Sequence, residues 1–93
     1  MIVSTIQPGS WNAFNFNISH EARAIFDAAL HGFVGVRYKP LAVATQIVAG
    51  TNYCFLCEAT VVYPGATPYA AKVYIYQPLQ GNPHITQIIQ DMP

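Results

Sequence analysis

One stretch of this chain, SHEARAIFDAALHGF at residues 19–33, carries the period of a helix, and the chain beyond it carries the period of strands. Ala22, Ile25, Phe26, Ala29, Leu30 and Phe33 recur at three- and four-residue steps and form one apolar stripe. There is no second stripe to pack against it, so a sheet face must cover it. Ser19 is placed to act as N-cap, and Glu21 falls in the first turn, where the positive end of the helix dipole favours an anion. Gly32 follows the last full turn as a C-cap, which sets an expected helix length of about 13 residues.

The strand pattern after Gly35 supplies that face. VRYKPLAVATQIV is a long strand, with Pro40 marking a bulge or an edge position. NYCFLCEATVVY, YAAKVYIYQ and HITQIIQ come next, separated by turns rich in Pro and Gly. Upstream of the helix, SWNAFNFNI alternates aromatic and polar residues and reads as a short first strand. Alternation sets Tyr53, Phe55, Cys57, Ala59 and Val61 on one face, opposite Glu58 and Thr60, and sets Ala71, Val73 and Ile75 opposite Lys72. The apolar sets face inward. The expected fold is α+β: a single domain over 1–93 with one helix packed across an antiparallel sheet of four to five strands.

Up-and-down connectivity sends alternate turns to the same end of the sheet. Val48 to Thr51 and Leu79 to Pro83 fall at one end, and Pro64 to Pro68 at the other. The first of these turns lies in QIVAGTNY, where Val48 and Ala49 stand beside a single glycine, Gly50. Hairpin turns ordinarily carry Asn, Asp, Gly or Pro, which accept special backbone angles and face water. An apolar turn beside a second partly apolar loop reads as a binding edge.

Composition narrows the partners. Hydrophobic residues make up 53% of the chain and charged ones 9%, which excludes disorder by composition. The net charge is zero, and Arg23, Arg37, Lys39 and Lys72 are scattered, so no nucleic-acid partner is expected. No apolar run reaches about 18 residues, so no membrane span is expected. The first residues lack a basic stretch followed by an apolar one, and a cytoplasmic location is expected over secretion.

Catalytic patterns are missing. His20, His31 and His84 do not cluster, and Glu21, Asp27, Glu58 and Asp91 have no acid–base spacing. No metal, cofactor or enzymatic activity is expected. Cys54 and Cys57 form a C-x-x-C, but inside a strand their side chains point to opposite faces, so they should be reduced and unbridged. The outward positions Cys54, Leu56, Tyr74 and Tyr76 make an apolar strip, and with zero net charge this suggests a homodimer, including one formed by exchange of the first hairpin.

QIVAG at residues 46–50 resembles the Q-x-V-x-G pattern of the cystatins and stefins, protein inhibitors of papain-like cysteine proteases. The match extends through Thr51, Asn52 and Tyr53, and KVYIYQPL resembles the family's penultimate strand. The element order also agrees: short strand, helix, then four strands with the motif at the first hairpin. The resemblance implies a curved sheet and a reversible, non-covalent inhibitor that blocks a protease's active-site cleft with a three-part wedge. By position, the N-terminal part is Gly9. The first hairpin is Gln46, Ile47, Val48, Ala49 and Gly50, and the second is Pro78, Leu79, Gln80 and Gly81. The second hairpin lacks the Pro-Trp pair of many secreted cystatins, and no cysteine pair lies near the C-terminus, so the likeness is to the disulfide-free stefins. The other reading of the residues is a protein-interaction module on the same scaffold, without inhibitory activity.

Overall fold

A computed structural model describes residues 9–91 of the chain. The expectation of no targeting pattern therefore concerns a stretch, 1–8, that lies outside the described residues. One helix, α1 (His20–Ala29), precedes four strands: β1 (Val36–Val48), β2 (Gly50–Val61), β3 (Tyr69–Gln77) and β4 (His84–Gln90). The strands form one antiparallel sheet in the order β1-β2-β3-β4. The fold is α+β, as the periodicities imply.

Ser19 caps α1: its Oγ accepts a hydrogen bond from the Ala22 amide at 3.1 Å. The helix is shorter than expected. It closes at Leu30, whose amide bonds the Phe26 carbonyl, and His31, Gly32 and Phe33 lie beyond it. Gly32 has a φ of 79°, so the left-handed turn expected of it is present but stands outside the last turn. His31 is consequently not a helix residue, and Phe33 leaves the stripe to pack edge-on against Tyr38 with ring centroids 5.6 Å apart.

The sheet face that receives the helix is the one the alternation selects. Phe55, Ala59, Ala71 and Val73 are fully buried, with Cys57, Ile75 and Tyr53 close behind. Phe26 meets Phe55 edge-on at 4.8 Å, and Tyr53 stacks beside Phe55 at 5.9 Å. Ile25 and Ala29 from α1, its C-cap Leu30, and Ile85 and Ile88 from β4 close the margins of this core. Each large side chain buried there contributes about 1.5–3 kcal/mol. Pro40 sits where β1 and β2 slip register, a bulge on the outermost strand of the sheet.

Two expectations need correction. The stretch around Trp11 to Asn15 is not a continuous fifth strand. It meets β1 through two isolated bridges, Trp11 to Gln46 and Asn15 to Val43. The bridges lie four residues apart on one side and three on the other, so a regular ladder cannot form between them. We call residues 9–15 the N-terminal arm. The outer face is also not an open apolar strip at Cys54. That residue is buried, and Trp11 and Phe14 from the arm border the hollow above it, with Trp11 edge-on to Tyr74 at 5.8 Å.

Candidate functional site

The end of the sheet that holds the β1–β2 turn gathers three separate chain segments. β1 ends at Val48 and β2 begins at Gly50, so Ala49 alone caps the hairpin. The end of β3 and the start of the loop after it lie beside it: the Tyr76 hydroxyl donates to the Ala49 carbonyl oxygen, and Pro78 stands against Gly50. The arm arrives from the other side, where the Gly9 amide donates to the Ile47 carbonyl at 3.0 Å. The structure thus brings together Gly9, the residues Gln46 to Gly50 and the residues Pro78 to Gly81, the three groups expected to act jointly.

Gln46 joins two of these segments. Its amide nitrogen donates to the Gly9 carbonyl at 2.6 Å, and its amide oxygen accepts from Asn52 at 2.9 Å across the hairpin. Asn12 strengthens the same junction with a reciprocal pair: its amide nitrogen donates to Thr45 Oγ1 at 2.9 Å, and its amide oxygen accepts from the Thr45 backbone at 2.8 Å. Side-chain amides are suited to this work because they both donate and accept.

Gly50 explains the turn's single glycine. Its φ is 101°, a left-handed conformation that side chains disfavour. It is buried, and a Cβ there would overlap the Gln77 carbonyl oxygen and stand 3.1 Å from Pro78 Cα. The close approach that requires glycine is to the protein's own chain, at the end of β3 and the start of the β3–β4 loop. Gln77 shapes that loop from inside, donating to the carbonyls of Pro78 and Gly81, each at 3.0 Å.

The apolar side chains at this end turn outward. Ile47 is 57% exposed, Val48 42% and Leu79 80%. Gln80 and Gly81 are exposed as well. No charged residue lies within 46–53 or 76–83. The surface is apolar at its tips and hydrogen-bonded underneath, so the protein's own bonds hold its shape.

Sequence reasoning missed the residues that lock these segments together. Asn12, Thr45 and Tyr76 have no motif of their own, and only their pairing across the fold gives them a part. Chemistry is sparse elsewhere. Both cysteines are free and buried. Burial, with a smaller contribution from Cys54, pushes the Cys57 thiol up to about 12. Burial also raises Cys54, although its hydrogen bond with Tyr74 and the charge of Lys72 act in the opposite sense. Neither is an activated nucleophile. Among the described residues no group of three or more His, Cys, Asp or Glu side chains could hold a metal, and no helix is long and apolar enough to cross a membrane. Comparison of the chain with protein-family models, with curated proteins and with solved structures gives no match.

Proposed function

We propose that the protein is a reversible, non-covalent inhibitor of papain-like cysteine proteases, built on a cystatin-like scaffold of the stefin kind. It acts by occupying the protease cleft with Gly9, the turn Gln46 to Gly50 and the loop Pro78 to Gly81. It performs no chemistry of its own. The observation that carries the reading is that Ile47, Val48 and Leu79 project from one end of the sheet on segments already tied together by the Gln46–Gly9 and Tyr76–Ala49 hydrogen bonds. The QIVAG motif, placed at this turn, supports it from the sequence side.

Such a wedge binds without being consumed because it presents a turn and not an extended scissile segment. Its apolar tips gain by leaving water, and its backbone is already ordered, so little conformational entropy is lost on association. The test is a titration of papain and of a lysosomal cathepsin with the folded chain. Inhibition that is competitive with substrate and reversed by dilution is the expected outcome. Failure of the folded chain to inhibit several such proteases would leave the same surface as that of an interaction module with a different partner.

A further inference from the structure

A cavity of about 340 Å³ opens between the N-terminal arm, the first turn of α1 and the base of the first hairpin. Tyr53 lies at its floor. Only 7% of this residue is exposed, and its ring belongs to the core beside Phe55. Its hydroxyl makes no hydrogen bond with any described residue. Yet among the described residues no side-chain nitrogen or oxygen is both sealed from the surface and unpartnered, so this hydroxyl emerges at the cavity wall. The ring is fixed by the core while the hydroxyl is open to whatever enters the cavity.

The neighbouring groups are of the same kind. Asn15 uses its amide oxygen to accept from the Asn17 backbone at 2.8 Å, which leaves its amide nitrogen as a donor. The Asn17 amide and the Thr51 hydroxyl make no side-chain hydrogen bond among the described residues, and the Glu21 carboxylate makes no ion pair there. Glu21 is the one formal charge of the lining. It sits in the first turn of α1, where the positive end of the helix dipole offsets it. The wall therefore offers donors and acceptors together, with little net field, and small apolar patches at Val43 and Ile47.

We propose that this cavity binds a neutral polyhydroxyl ring, a pentose or hexose. Hydroxyl groups of such a ring donate to Glu21 and accept from Asn15 and Asn17, Tyr53 can do either, and the C–H face rests on Val43 and Ile47. A cation would meet the dipole's positive end, and an anion would meet Glu21. The inference does not rest on the protease reading, since it uses none of the projecting side chains except the flank of Ile47.

The test is an amide NMR titration of the whole chain with ribose, glucose, mannose and galactose, with the methyl glycoside of each, and with ethylguanidinium as a cationic control. The expected result is saturable shifts centred on Asn15, Asn17, Glu21, Thr51 and Tyr53 with at least one sugar. Tyr53→Phe, which removes a hydroxyl with no internal partner, should keep the fold and weaken binding about tenfold. Asn17→Ala should act in the same direction. A methyl glycoside that binds as well as its free sugar marks the ring as part of a glycan, and binding confined to the free sugars marks a monosaccharide site. Absence of saturable shifts with every sugar overturns the proposal. So does undiminished binding by a folded Tyr53→Phe variant, or saturation by ethylguanidinium alone.

Discussion

The side-chain amide of Gln46 grips the main chain of Gly9 at 2.6 Å, across 37 positions of sequence, and the same amide accepts from Asn52 on the facing strand. One residue therefore ties the first hairpin to the start of the arm. Gln46→Ala should release the arm at Gly9 while leaving the sheet intact. The cost in stability should be about 1 kcal/mol per hydrogen bond removed, and less where water replaces the partner. Amide exchange reads this directly, because the Gly9 amide is bonded to the Ile47 carbonyl. Faster exchange at Gly9 with unchanged protection at Phe55 is the expected pattern, and equal protection in both proteins would show that Gln46 does not hold the arm.

Gly50 separates two explanations of a motif glycine. Its added Cβ meets the Gln77 carbonyl and Pro78 within the same chain, and its φ of 101° is itself unfavourable for a side chain. Gly50→Ala should therefore lower stability in the absence of any partner, by about 1–3 kcal/mol. It should also shift the β3–β4 loop, which would appear as NMR shift changes at Gln77 to Gly81. If the variant were as stable as the native chain, the positive φ and the close approach would both be of no consequence.

Ile47, Val48 and Leu79 present the opposite case. They are exposed, so replacing them should leave the fold alone. Val48→Asp should keep the unfolding free energy within about 0.5 kcal/mol of native and still abolish most of the inhibition expected of this end, because a carboxylate would be stranded in the contact. Leu79→Ala should weaken inhibition by about 1–2 kcal/mol, the value of apolar burial at the margin of an interface. Stability and inhibition are measured on the same samples. Parallel loss of both would mean that these side chains support the fold and not a contact.

The fold was legible in the sequence to the extent that period decides it. The inward set of β2 and β3, the cap at Ser19 and the shared end of the two loops all come from spacing, because side-chain alternation and hairpin reversal leave little freedom. What spacing could not give is anything decided by a partner far along the chain. Residues 10–18 alternate like a strand, but a mismatch of one residue against β1 reduces them to two bridges. Trp11 borders the hollow over Cys54 only because the arm lies against β1, and no local signal says so. The apolar turn was legible as unusual, whereas the reason for its glycine lies far along the chain at Gln77. Tyr53 was legible as a core residue, and its partnerless hydroxyl was not.

The buried thiol of Cys57 should make the protein sensitive to alkali. Its ionisation is pushed from the ordinary 9.0 up to about 12, by burial first and by Cys54 second. Tyr53 is raised by burial and by Glu21, and Tyr38 by burial and then by Tyr69. All of these shifts have one sign: the folded chain holds protons that the unfolded chain releases. The stabilisation is complete below the unfolded value, near pH 9.0 for the thiol, and is lost as pH rises toward about 12. Each such group steepens the decline by up to about 1.4 kcal/mol per pH unit. The denaturation midpoint should fall once pH exceeds 9.0. Cys57→Ala should start from a lower stability, since it deletes a fully buried sulfur, yet fall less steeply above pH 9.0. Equal slopes for the two proteins would assign the alkaline loss to Cys54 and the tyrosines, and a midpoint that stays level as pH approaches 12 would contradict the burial of all these groups.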